Sequence, residues 1–353
     1  MVIHTVSRIG LMNSSQASTA EHTWKRFFLA GAHIRMLSDN EKRKDIYPMF
    51  ILIFEQLMKM FFIMLLAFVC YRLKLVNQEG NRSVSNLLLM VVNPMVILTV
   101  YQIDYDPELV HGLLLAFAAA ALTHILGVLI VTAVIRPKTG PDYCIERYNA
   151  MYSNCAFIGI PLINSVLGDT GVFYLTAYLV VFNLFTWTHG VVLMEKKCSL
   201  KNLKEGLLSP MFIATILAVI LFFIQFKIPG VLLDSMTYVA DMNTPLAMMV
   251  AGFSVAQADL GRMLRNIRLY AVCAIKLLLM PLLFLPFLML MQLPQAVSLT
   301  ALIATACPSA ATGTMLAIRY KQNYTYSSEI FALTTVLSVA TIPVVVMIVE
   351  RLL

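Results

Sequence analysis

The chain has 353 residues, of which 59% are hydrophobic and 13% charged, with a formal net charge of +7. Water-soluble domains carry about 25% charged residues, so a single soluble domain is excluded, and the apolar excess excludes a disordered chain. In a soluble protein the basic balance would point to nucleic acid; in so apolar a chain the first question is where the positive charges sit.

Residues 1–48 are polar, mixed in charge and without the apolar stretch of a secretory signal peptide. They read either as an amphipathic arm on the membrane surface, carried by WKRFFLAGAHIRML, or as residues upstream of a true start at Met49. A bilayer core about 30 Å thick is crossed by ~20 apolar helical residues. Ten such runs follow, at approximately 50–72, 82–102, 108–135, 147–168, 171–194, 207–227, 231–257, 265–291, 295–319 and 326–350. The fold class expected is therefore an all-α membrane protein with ten transmembrane helices. The six cysteines show no CxxC spacing, which predicts neither a disulfide framework nor a zinc site.

Orientation follows from lysine and arginine, which cytoplasmic loops retain. Counting the loops between the ten runs, the odd-numbered ones hold fifteen basic residues, from Arg72 to Lys321, and the even-numbered ones only Lys227. Odd loops are thus expected in the cytoplasm, with both ends of the ten-helix body outside. The basic residues of the 1–48 arm argue against an outside N-terminus and favour the start at Met49.

The basic connection 196–206 divides the body into 49–195 and 207–353. Five helices in each half is an odd number, so the second half would run inverted relative to the first, as in many secondary transporters. Proline placement agrees. Asn93-Pro94 in the second run corresponds to Asn243-Thr244-Pro245 in the seventh, and Gly159-Ile160-Pro161 in the fourth to Cys307-Pro308-Ser309 in the ninth.

Proline inside a helix removes a donor and clashes with the carbonyl four residues back. A helix broken in this way survives in the membrane only against protein or a wet cavity. The fourth run, with Asn154, Gly159 and Pro161, and the ninth, with Pro308, Ser309 and Thr312, are the expected breaks. The starts of half-helices offer free N–H groups and partial positive charge, which suit a carboxylate. Two proline-kinked packing helices are the bland reading of the same residues.

The segments SNCAFIGIPLI, MNTPLAMMVAGFSVAQADL and ATACPSAATGTMLAIRY together resemble the auxin efflux carrier family, over about 49–353. The resemblance implies two inverted five-helix repeats whose fourth and ninth helices unwind and cross. Asn154, Gly159 and Pro161 would match the first crossing segment and Pro308 the second. The short central loop resembles the bacterial malate and malonate permease branch, and Asn93-Pro94 departs from the more usual apolar-Pro pair.

An ionisable group inside the membrane costs ~2.5–3.5 kcal/mol on insertion scales and is a functional candidate. Lys276 lies deep in the eighth run and Asp241 early in the seventh. Lys276 reads either as the counter-charge for an anion or as the partner of Asp241 in a structural bridge, and Asp241 is also the main candidate for binding a coupling proton. No histidine pair has metal-ligand spacing, and no phosphate loop, nucleophile elbow or zinc-protease motif occurs, so neither an enzyme nor a cofactor is expected. The expected function is a secondary transporter of a small organic anion in the plasma (cell inner) membrane, by efflux or uniport. A proton-coupled importer and a channel-like or sensory protein are the alternatives. The partners expected are the anion and the lipid bilayer, with a homodimer allowed and no nucleic acid.

Overall fold

The computed structural model describes residues 49–195, 204 and 207–350, which form helices and their connections around one isolated antiparallel bridge. The 1–48 arm and most of the basic 196–206 connection, with the two readings of the arm, lie outside the described residues. In chain order the helices are α1 (Met49–Arg72), α2 (Gln78–Val100), α3 (Pro107–Val134), α4 (Tyr143–Met151) and α5 (Cys155–Glu195). There follow α6 (Pro210–Phe223), α7 (Gly230–Gln257), α8 (Ile267–Leu290), α9 (Gln295–Ala306), α10 (Thr312–Arg319) and α11 (Tyr324–Glu350).

Polar caps start the helices where the apolar runs begin. Asn77 accepts from the Gly80 N–H ahead of α2, Asp106 from Glu108 ahead of α3, and Ser209 from Phe212 ahead of α6. Each satisfies a donor that the first helical turn leaves free. Beyond the caps the helices carry exposed apolar side chains, among them Phe62, Leu66, Leu114, Leu129, Ile220 and Phe223. On a soluble protein so much exposed apolar surface would aggregate; against lipid it is the solvated face.

Among the described residues, seven helices are long and apolar enough to cross a membrane. The difference from the ten apolar runs has a local cause in each case. The run at 207–227 yields α6, which is 14 residues long, because Ser209-Pro210 starts it late and Ile224 ends it. The run at 295–319 is divided at Pro308 into α9 and α10. Residues 147–168 are divided between α4 and the start of α5. Helix α5 then continues as one path of 41 residues into the next run, bending at Gly168. Gly168 has φ 62° and ψ −155°, a backbone conformation that needs glycine.

α1 lies along α7 and α11, while the C-terminal part of α2 packs on α6 and the first half of α7. α3, α5 and α9 form a second layer, with α8 and α11 against it. α1 and α7 approach closely at Gly252, where a Cβ would meet the Met64 carbonyl and the Ala67 methyl group. Across the loops that follow α2 and α6, Lys227 pairs with Asp104 at 2.8 Å. The ammonium holds that carboxyl below its usual range, but both groups stand in solvent, where such a pair adds little.

Candidate functional site: two interrupted helices that meet

α4 stops at Met151, and the next residues turn extended, with Tyr152 at φ −81°, ψ 125°. The helical path resumes at Cys155 with one wide turn, Cys155–Gly159, before Ile160 and Pro161. Pro161 supplies no N–H there, and its ring excludes a regular bond to the carbonyl four residues earlier. α9 ends at Ala306, and Cys307 takes φ −55°, ψ 150°, the extended conformation a following proline imposes. The two extended segments lie side by side, with Ser153 paired to Ser309 in an antiparallel bridge. The Asn154 N–H donates to the Pro308 carbonyl at 2.8 Å and the Ala310 N–H to the Tyr152 carbonyl at 2.9 Å. Two of the N–H groups in these segments thus find carbonyls on the facing segment, as a dry interior requires.

The candidate residues gather here to different degrees. Asn154 is buried, and its side-chain nitrogen donates to no acceptor among the described residues. Gly159 sits beside Cys307, and a Cβ built on it would be 3.6 Å from the Cys307 Sγ. Ser309 is committed internally: its hydroxyl donates to the Asn149 carbonyl at 2.7 Å, and its N–H donates to the Thr334 hydroxyl at 3.2 Å. The Thr312 hydroxyl is bonded to the Tyr148 hydroxyl at 2.9 Å.

Lys276 is fully buried and lies at the crossing. Its ammonium donates to the Ser153 hydroxyl at 2.5 Å, to the Thr305 carbonyl at 3.0 Å and to the Met151 carbonyl at 3.5 Å. The expected bridge to Asp241 does not form. Asp241 is exposed at the end of the first half of α7, whereas Lys276 points inward to the carbonyl ends of α4 and α9. A buried ammonium gains more from three oxygens at negative helix ends than from reaching toward the surface.

Asn93 meets a residue that the sequence had not marked as its partner. The Asn243 side-chain N–H donates to the Asn93 side-chain oxygen at 2.7 Å, and both residues are buried. These are the two asparagines of the corresponding proline motifs, now in contact between α2 and α7. The pair leaves the Asn93 nitrogen and the Asn243 oxygen without partners among the described residues. Asn243→Val alone strands a further buried amide and is expected to cost about 1–3 kcal/mol. The Asn93→Val/Asn243→Val pair, which removes both amides, should cost less than that single change, as read from thermal unfolding of the purified protein.

Sequence reasoning also missed a polar cluster joining α4, α8 and α11. The carboxylate of Glu146, buried on α4, takes two N–H groups of Arg268, with Nη2 at 2.8 Å from Oε2 and Nε on Oε1. The Tyr326 hydroxyl donates to the same carboxylate at 2.9 Å. One turn along α11, Glu329 is fully buried and pairs with Arg262 at 3.5 Å. The only available signal was an acid beside Arg147 at the start of a broken segment. His124 is packed, bonded through Nδ1 to the Ala120 carbonyl at 2.8 Å. Among the described residues no cluster of His, Cys, Asp and Glu could hold a metal.

A model of the membrane transport protein family matches residues 52–201 and 196–346, most of the chain beyond the arm. No curated protein sequence matches the chain.

Proposed function

The chain belongs to this family of membrane transporters, the auxin efflux carrier family, and on that premise we propose that it is a secondary carrier of a small organic anion. Its chemistry would be that of a mono- or dicarboxylate such as malate, malonate or an auxin-like acid. The observation that carries this reading is the buried Asn154 amide, which donates to nothing among the described residues at the start of the helical path beyond the crossing. A donor in that position, at a helix start, is suited to a carboxylate oxygen. Gly159 and Pro161 shape the wide turn there, Pro308 shapes the facing segment, and Asn93 offers a second unpaired amide nitrogen. Ser309 and Thr312 support the crossing through their internal bonds.

In this reading the body makes ten passes in two inverted halves, 49–195 and 207–353, with the interrupted fourth and ninth passes crossing at the site. Transport proceeds by alternating access of one bundle against the other. The fifteen basic residues of the odd-numbered loops put those loops in the cytoplasm of a multi-pass plasma-membrane protein, with both ends of the body outside.

Direction follows from electrostatics. One charge moved across 100 mV is worth about 2.3 kcal/mol, so an inside-negative membrane drives anion export without a coupling ion. Import would need a co-transported cation. Asp241, the candidate for a coupling proton, is exposed and away from Lys276. Asp241→Asn is therefore expected to leave transport near wild-type rate; loss of proton-driven uptake in a well-expressed Asp241→Asn protein would make it an importer instead.

Counterflow in proteoliposomes tests the carrier reading. Labelled carboxylate should accumulate transiently against unlabelled carboxylate inside, and saturate. Flux that neither saturates nor responds to the opposite side would mark a channel-like or sensory protein.

A further inference from the structure

Each half of the crossing ends a helix with carbonyls that have lost their usual donors. Met151 is the last residue of α4 and Thr305 the penultimate residue of α9. In an unbroken helix the Thr305 carbonyl would accept from the N–H of Ser309, but that N–H donates to Thr334 instead. The Ser153 hydroxyl stands between them and donates to the Thr305 carbonyl at 3.2 Å. Two carbonyls and a hydroxyl, at the negative ends of two helices, form a cluster of hard oxygen ligands. In carriers with interrupted helices, unwound carbonyls and half-helix ends of this kind coordinate sodium ions.

Here the position is held by the protein itself. The Lys276 ammonium reaches all three oxygens, one for each of its N–H groups. No carboxylate of the described residues lies within ion-pair distance of it. We propose that the oxygens of Met151, Ser153 and Thr305 form an alkali-cation site that the Lys276 ammonium occupies as a tethered cation. The crossing then carries the positive charge of that ammonium on the protein itself. A carrier built this way cycles without binding sodium, a consequence that rests on the carrier reading above; the site itself rests on the geometry alone.

The geometry predicts what happens when the tether is cut. Lys276→Ala takes away the charge and leaves the three oxygens without their donor, so a small free cation becomes the fitting ligand. Lys276→Met also removes the charge but keeps most of the chain's volume, so it leaves no room for an ion. Thermal unfolding of the purified protein is measured in sodium chloride and in choline chloride at equal ionic strength. Lys276→Ala should unfold about 2–4 °C higher in sodium than in choline, a shift of the size that site binding produces. Wild type and Lys276→Met should unfold at the same temperature in both salts, and Ser153→Ala added to Lys276→Ala should shrink the sodium shift. An equal response of Lys276→Ala to both salts overturns the proposal, as does a sodium-specific shift in the wild type. If Lys276→Ala yields no folded protein, wild-type counterflow decides: an unchanged rate in choline supports the tethered cation, and a fall of more than about twofold on removing sodium overturns it. Absence of wild-type counterflow with every carboxylate would sink the carrier reading, while the unfolding shift would still report on the cation site.

Discussion

Arg268→Ala is expected to lower the unfolding free energy by about 3 kcal/mol, the low end of the cost of breaking a buried ion pair. The reason lies in what the change leaves behind. The Glu146 side chain is 3% exposed and the Arg268 side chain 37%. Deleting the arginine strands a carboxylate that water cannot reach, with only the Tyr326 hydroxyl still donating to it. Deleting the negative charge instead strands a guanidinium that can turn toward solvent. Glu146→Gln, whose amide oxygen can still accept from Tyr326, should cost about 1 kcal/mol. Thermal unfolding of the two variants measures the asymmetry; equal losses, or a larger loss in Glu146→Gln, would mean that the carboxylate is hydrated or neutral in the folded protein.

Gly252→Val is the second large effect. A Cβ at this position would press on the Met64 backbone carbonyl and lie 2.8 Å from the Ala67 Cβ. Neither obstacle is the movable end of a side chain, so α1 and α7 must separate. Membrane helices associate through close packing at small residues, without a hydrophobic drive between them. Overpacking of this kind costs about 1–3 kcal/mol, and a branched side chain against backbone belongs at the upper end. The yield of monodisperse protein and its unfolding temperature should both fall. Gly230→Ala is the control, since nothing lies within 4 Å of a Cβ built there; a Gly252→Val protein as stable as that control would show that the two helices are not held at this distance.

Hydropathy along the chain located the membrane helices, because an apolar run of sufficient length has few other uses in so poorly charged a protein. Among the described residues its ten runs correspond to seven helices long and apolar enough to cross a membrane, together with shorter apolar ones. The runs at 147–168 and 295–319 look continuous by composition, yet α4 ends at Met151, ahead of an extended stretch, and α9 ends at Ala306, two residues before Pro308. Pro308 stands just past the end of α9, where the effect of proline is local and readable from one residue, whereas Pro161 lies ten residues beyond the end of α4. What composition could not reveal was which side chains would meet across the bundle. Lys276 was legible as too deep to reach water, but its partners Met151 on α4 and Thr305 on α9 are 125 and 29 residues away. Asn93 and Asn243 were visible as corresponding motifs, and their contact was not. Arg268 entered the loop count as an orientation charge, although its guanidinium is spent on a buried carboxylate of another helix.

Transporter current in proteoliposomes, recorded against a panel of mono- and dicarboxylates, tests the anion site at the crossing most directly. Wild type, Asn154→Ala and Pro161→Ala are compared at matched protein density. The anion reading predicts a saturable current with at least one carboxylate in the wild type. It also predicts at least an approximately tenfold loss of affinity or rate in both variants, the scale of one or two lost hydrogen bonds to a charged group. Wild-type affinity and rate in both variants, for whichever carboxylate carries the current, would contradict it.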